Sequence, residues 1–546
     1  MADSEDRTVG EKALETLKRW YQVPVLAGVM VFMFWTRYQN HDAFTRGGDG
    51  FWLQAVDSWY HWRATNWMVD NVPWTLSFDA WTGFPNGTAP GQFGTLFDQI
   101  VVAVSIVLGL GNPGESDVLL AALVTVPALA ALVAVPVYYL GKRLGTRIGG
   151  VAGAATLALF AGEFFRRSTA GQFQHHAAEA LFMAIAVLAV VVALTVAERE
   201  RPVWELVRRG DWDALRRPTL YSALAGLAVT LYLWVWPPGV VLVGILGVYF
   251  VLQLSLDQVR GRSPDHLAFV GVVSMLVVAA GTALRIGQPG FSATGLNFFQ
   301  PTFALLVAGG CVFMAGLARL WDGRALPRWS YPAAVGLSIL GALGALTVVL
   351  PGVFETLSNN LGGRIVPFGR SESALTVEEV GAPDSFFSSF VQEEYGWAFY
   401  TGLVALPILA VQSVLKPNER AKYLFVLVWA LVLISMGMTQ VRFNYYLAVG
   451  VAVLNAHLVG FLAAGIELPS STEESDESGS TVQVFQVVLI LVVAMLVFVP
   501  LFPTVASPSA APEASLRRCP LIGTPRPPTQ PPLQPTRTGP SGSSGR

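Results

Sequence analysis

The chain has 546 residues, 53% hydrophobic and 13% charged, with a formal net charge of −2, whereas soluble domains carry about 25% charged residues. So much apolar sequence excludes an ordinary soluble globular fold and predicts an all-α polytopic membrane protein; the small net charge identifies no partner, and none of nucleic-acid type is expected. With only two cysteines, Cys311 inside an apolar run and Cys519 near the end, a disulfide framework or a thiolate metal site is excluded.

Residues 1–20 open Met-Ala-Asp-Ser-Glu-Asp and lack the cationic start of a cleaved signal, so the first apolar run is expected to act as an uncleaved anchor behind a cytoplasmic N-terminus. Thirteen runs are long enough to cross about 30 Å of hydrocarbon: 21–38, 117–140, 147–164, 178–197, 219–235, 237–255, 266–284, 301–319, 330–350, 399–415, 421–438, 444–464 and 483–503. A further run, 96–112, is short and begins near Asp98. If it does not cross, Lys18 and Arg19, Lys142 and Arg143, Arg208 and Arg209, Arg260 and Arg262, Arg324 and Arg328, and Lys416 and Lys422 all fall on one side, which the positive-inside rule makes cytoplasmic. It is therefore read as peripheral or re-entrant. The outer face then receives the large first loop 39–116, the string 165–177, the loop 351–398 and the corner at Gln440 to Arg442.

Those outer segments hold the residues suited to chemistry. The first loop carries Asp57-Ser58-Trp59-Tyr60-His61-Trp62-Arg63, where Asp57, His61 and Arg63 would share one side of a short helix; the plainer reading is an aromatic belt with a local Asp-Arg pair. The string 166–179 runs Arg-Arg-Ser-Thr-Ala-Gly-Gln-Phe-Gln-His-His-Ala-Ala-Glu. Ionisable groups beside a bilayer are costly and mark functional sites, and imidazole with amide and carboxylate oxygens suits a divalent ion, although histidines at a helix start can simply face water. Thr376-Val377-Glu378-Glu379 follows in the late loop, where a solvated charge run is the plain alternative. Arg442 of Gln440-Val441-Arg442-Phe443-Asn444-Tyr445-Tyr446 could hold a phosphate by its fork or snorkel to the interface.

The order Asp-x-x-Tyr-His-x-Arg, Ser-x-x-Gly-x-x-x-His-His, Thr-Val-x-Glu and Arg-Phe-x-Tyr-Tyr resembles the archaeal oligosaccharyltransferase catalytic subunits, over roughly residues 15–505. The resemblance implies a C-type glycosyltransferase fold of about thirteen transmembrane helices over 21–505, with a large first external loop. It implies transfer of an oligosaccharide from a dolichol phosphate or pyrophosphate carrier to Asn of Asn-x-Ser/Thr in secreted polypeptides, at the external face of the cell membrane. Carried over, Asp57, Gln174, His176 and Glu379 would hold a divalent Mn or Mg ion. Asp57 and Glu379 would also engage the acceptor amide, and Arg442, His61, Arg63 and Tyr445 would bind substrate. Another glycosyltransferase using a polyprenyl-phosphate sugar, and a degenerate protein that binds the carrier without turnover, are the alternatives.

Two departures stand out. The family's acidic residue is Gln174 here, which removes one negative charge from the metal site unless Glu163 or Glu179 supplies it. The family's large C-terminal external domain has no counterpart: no Trp follows Trp429, and 506–546 is rich in Pro, Ser, Thr, Gly and Arg. That tail has too little apolar surface to bury and reads as disordered or frameshifted.

Overall fold

The computed structural model describes residues 20–45, 51–89, 95–199, 203–287, 289–367, 380–416 and 420–464, with a few positions between 488 and 498. Glu379, the acidic loop 465–482 and the tail 506–546 lie outside the described residues, as does most of 483–503. The described chain is helical: α1 (Gln22–Tyr38), α2 (Val56–Asp70), α3 (Leu96–Leu108), α4 (Glu115–Leu132), α5 (Ala134–Leu144), α6 (Arg147–Ala158), α7 (Glu163–Arg166), α8 (His176–Arg199), α9 (Val203–Arg209), α10 (Trp212–Val235), α11 (Val241–Val259), α12 (Asp265–Ala283), α13 (Phe299–Gly323), α14 (Tyr331–Val349), α15 (Pro351–Arg364), α16 (Trp397–Leu415), α17 (Arg420–Thr439) and α18 (Asn444–Ala464). Among these residues the one β feature is an isolated bridge between Asp79 and Thr88.

Ten helical segments are long and apolar enough to span a membrane, which makes this a multi-pass membrane protein. They account for ten of the thirteen expected runs. Run 21–38 forms α1, whose 17 residues reach about 25 Å. Run 147–164 does not stay one helix: α6 stops at Ala158 after 12 residues, and a separate turn, α7, starts at Glu163. The doubtful run 96–112 folds as α3, a short apolar helix of 13 residues or about 20 Å. Run 117–140 is divided at Val133 between α4 and α5, where Pro136 has no N–H to give the carbonyl one turn earlier.

Contacts between connecting segments sort onto two ends. At one end Ala170 N–H bonds the Arg37 carbonyl (2.8 Å) and Val441 N–H the Gly381 carbonyl (2.9 Å). There too Gln172 bonds Gln54 (2.9 Å) and Arg285 bonds Thr95 (2.6 Å). At the other, Lys422 Nζ donates to the Arg143 carbonyl (2.7 Å), Arg420 N–H to Glu198 (3.3 Å), and Arg319 pairs with Asp265 (2.9 Å). The second set of contacts joins connections that carry Arg143, Arg420 and Lys422, cations that the loop-charge reading puts on one side.

Helix α18 lies at the centre, against α5, α6 and α16, and its residues from Asn444 to Gly460 are all buried. Small residues permit the closest approach: a Cβ at Gly149 of α6 would collide with the Ala456 carbonyl. Helix α8 packs on α10, α4 and α17. The N-termini of α8 and α18 therefore emerge together at the end opposite the cationic loops, and there the polar residues collect.

Candidate functional site

His176 opens α8 and Glu179 follows three residues later, so both sit on one face of its first turn. A carboxylate there also meets the positive end of the helix dipole. Glu179 is fully buried. Its Oε1 lies 2.9 Å from His176 Nδ1 and 3.1 Å from His175 Nε2, and its Oε2 accepts the Tyr445 hydroxyl of α18 (2.7 Å). Ligand atoms of His175, His176 and Glu179 all fall within 4.8 Å of one another. The His176 and Tyr445 rings are 5.1 Å apart.

A second chain of contacts reaches this cluster from α2 and α3. His61 Nδ1 lies 2.6 Å from Asp98 Oδ1, and His61 Nε2 lies 2.9 Å from His175 Nδ1. With Asp98 as a carboxylate it can only accept, so His61 carries its proton on Nδ1 and accepts at Nε2 from His175 Nδ1–H. His175 Nε2 is then a bare lone pair facing the Glu179 carboxylate. Burial pushes the His175 imidazole down to about 3, so a proton on that ring is not the positive charge between them at neutral pH. A proton on Glu179 or a bound cation would satisfy these two facing acceptors, and two imidazoles with a carboxylate are a donor set a divalent transition ion accepts. The residues present thus fit such an ion. Arg167 stands beside it, with its guanidinium 3.0 Å from His176 Nε2; an arginine only donates, so it engages the lone pair through which His176 would coordinate on that side.

Behind the cluster lies a buried ion network. Glu163 accepts from Arg166 (2.7 Å) and Arg167 (2.5 Å), and Arg166 also reaches Glu394 (2.6 Å), just before α16. The other Glu394 oxygen accepts the Glu163 backbone N–H (2.7 Å). Gly162 allows this approach, since a Cβ there would strike the Glu394 side chain. Burial would raise the Glu163 carboxyl, but the Arg167 and Arg166 guanidiniums outweigh it and hold the group well below the usual carboxylate range.

The structure gathers His176, His61 and Tyr445 directly, and Glu179 lies within electrostatic reach of Arg167 and Arg442. Gln174 is buried just ahead of the cluster, with its N–H on the Gln172 carbonyl (2.8 Å). Arg63 instead turns to Asp79 (2.7 Å) and Thr82 (3.1 Å) and braces the first loop. Asp57 is exposed in the first turn of α2 and stands outside the ligating group. Sequence reasoning missed Asp98 as a partner of His61 and Glu394 as a partner of Arg166. Only the Glu163 spacing to Arg166 and Arg167, three and four residues, was a readable signal.

A helical membrane bundle with a metal-capable polar centre at one end is the class of protein that the fold and this site define. The model for the N-terminal region of oligosaccharyl transferase STT3 matches residues 25–323, and the chain belongs to that family. It is 40% identical over 526 residues to the dolichyl-monophosphooligosaccharide-protein glycotransferase AglB of Haloferax volcanii, covering 84% of this chain and 49% of that protein. The Archaeoglobus fulgidus oligosaccharyltransferase AglB, in complex with an inhibitory peptide and a dolichol-phosphate, superposes with a TM-score of 0.76 at 20% identity, over 91% of this chain and 56% of that one. An Archaeoglobus fulgidus oligosaccharyltransferase in complex with Zn and sulfate gives a TM-score of 0.67 at 20% identity, over 89% of this chain and 53% of that one. The chain spans about half the length of the curated relatives it matches, 49% and 51%.

Proposed function

We propose that this chain carries the membrane-embedded centre of an asparagine-linked oligosaccharyltransferase. It takes an oligosaccharide from a dolichol phosphate or pyrophosphate carrier and gives it to Asn of Asn-x-Ser/Thr. The observation that carries this reading is the convergence of His175, His176, Glu179 and Tyr445 within reach of Arg442, in a chain of this family. The relatives' carrier and peptide complexes support the same substrates. The cations at the far end favour an external centre by the positive-inside rule, in the cell membrane.

Each group has a task that its chemistry suits. Arg442, held by Nε on Gln440 Oε1 (2.7 Å), brings a planar guanidinium suited to the carrier phosphate. Tyr445 and the Asp98-His61 pair orient Glu179 and His175. A bound divalent ion would neutralise the departing phosphate, and Mn fits two imidazoles and a carboxylate better than Mg does. The asparagine amide is a poor nucleophile because its lone pair is delocalised; Asp57 and Glu379 are the carboxylates assigned to accept its N–H groups.

The deciding assay is transfer from a dolichyl-phosphate-linked oligosaccharide to a sequon peptide by the purified chain in lipid nanodiscs. Transfer is expected with Mn, lost with chelator and restored by added Mn; carrier binding without transfer under all three conditions refutes the proposal. Gln174 supplies a second test. Gln174→Asp adds an anionic oxygen beside the cluster, and charge count tunes affinity for hard ions, so half-maximal Mn should fall by about tenfold. Equal Mn titrations of wild type and variant would remove Gln174 from the metal's surroundings.

A further inference from the structure

We propose that Arg364 is a second phosphate-binding guanidinium, which stands beside Arg442 and helps receive the phosphate of the lipid carrier. This rests on the carrier-dependent reading above. Arg364 is the last residue of α15, and the chain around it is laid onto the end of α17. Ser435 Oγ donates to the Ile365 carbonyl and Thr439 Oγ1 to the Val366 carbonyl (2.8 Å). Gln440 Nε2 donates to the Gly363 carbonyl (2.5 Å) while Gln440 Oε1 accepts from Arg442 Nε (2.7 Å). One glutamine amide thus holds both the residue before Arg364 and the arginine that faces the carrier.

Other half-buried or buried guanidiniums near this end of the protein have hydrogen-bonding partners. Arg37 bonds Ser168 (2.7 Å), Arg63 bonds Asp79, and Arg166 bonds Glu163 and Glu394. Arg364 is half-buried, yet it makes no hydrogen bond or ion pair with the described residues. Burial pushes its guanidinium down to about 10, and the charge of Arg442 adds to that effect. Two neighbouring half-buried cations, one of them without a carboxylate among the described residues, repel each other unless an anion joins them. The planar fork of arginine matches phosphate oxygens in pairs, so the missing partner is a phosphate group. Arg442 also lies within electrostatic reach of Glu179, which would set that phosphate beside the cation cluster.

Binding of dolichyl phosphate to the full chain in nanodiscs, with inorganic phosphate as competitor, tests the assignment. Arg364→Gln should weaken dolichyl phosphate about tenfold and raise the donor KM by a similar factor, with kcat and the peptide KM within about twofold of wild type. Arg364→Lys should recover most of the loss. The alcohol dolichol should bind both proteins equally, and inorganic phosphate should displace dolichyl phosphate only weakly if the site reads a lipid-borne headgroup. Unchanged dolichyl phosphate affinity in Arg364→Gln, or equal weakening of donor and peptide, overturns the proposal. If inorganic phosphate binds with the same arginine dependence and dolichyl phosphate does not, the site serves free phosphate and the carrier assignment falls. Weakened dolichyl phosphate binding in a chain that transfers no glycan would sink only the transferase reading; transfer with binding untouched by Arg364→Gln would sink only the role of Arg364.

Discussion

Replacing Glu179 with alanine is expected to strip the chain of bound divalent metal and to lower glycan transfer by about 100-fold or more. Glu179 is the one carboxylate that His175, His176 and Tyr445 all touch, so its removal takes the anionic oxygen from the donor set and frees both imidazoles. The buried Tyr445 hydroxyl also loses its acceptor, at a cost of about 1–3 kcal/mol. Glu179→Gln separates these effects: it can still accept from Tyr445 but offers no charge to an ion, so it should fold nearly as well and still bind little metal. Metal content after desalting and a Mn titration of transfer give the answer. If Glu179→Ala keeps its metal while Asp57→Ala loses it, the ion is organised around Asp57, Gln174, His176 and Glu379, as family resemblance alone would have it.

Much of the architecture was legible because hydropathy and loop charge are direct consequences of the bilayer as solvent. The runs that became α8 and α10 through α14, and α16 through α18, needed only length and composition. Run 147–164 reads as one segment because hydropathy does not register the break between Ala158 and Glu163, where Gly162 leaves room for Glu394. The site was legible in proportion to how local it is. His176 and Glu179 lie a helical turn apart, and their grouping follows from spacing. Asp98 and His61 are 37 residues apart and Arg166 and Glu394 are 228 apart; packing of α2 against α3, and of α7 against the segment before α16, brings them together. Arg63 carried a motif position, and its guanidinium pairs with Asp79 of its own loop, a partner that spacing alone did not announce.

Glu163→Gln is expected to destabilise the protein by about 3–5 kcal/mol, the cost of leaving buried guanidiniums short of a carboxylate. Arg167 would lose the Glu163 carboxylate and Arg166 one of its two carboxylates, and the string that carries His175 and His176 would lose this anchor. Transfer should therefore fall together with the thermal midpoint, whereas Glu179→Gln should depress transfer alone. The pH dependence gives an independent reading. The guanidiniums depress Glu163 in the folded state, so the unfolded chain binds its proton more readily. The stabilisation is present above the ordinary carboxylate range, near pH 4.5, and is lost as pH falls through the folded value. Between pH 5 and pH 3 the wild-type midpoint should drop more steeply than that of Glu163→Gln, which has no proton to take up at this position. Parallel curves for the two proteins would mean that Glu163 is not held as the anion of this network, and that the segment bearing the two histidines is anchored by other contacts.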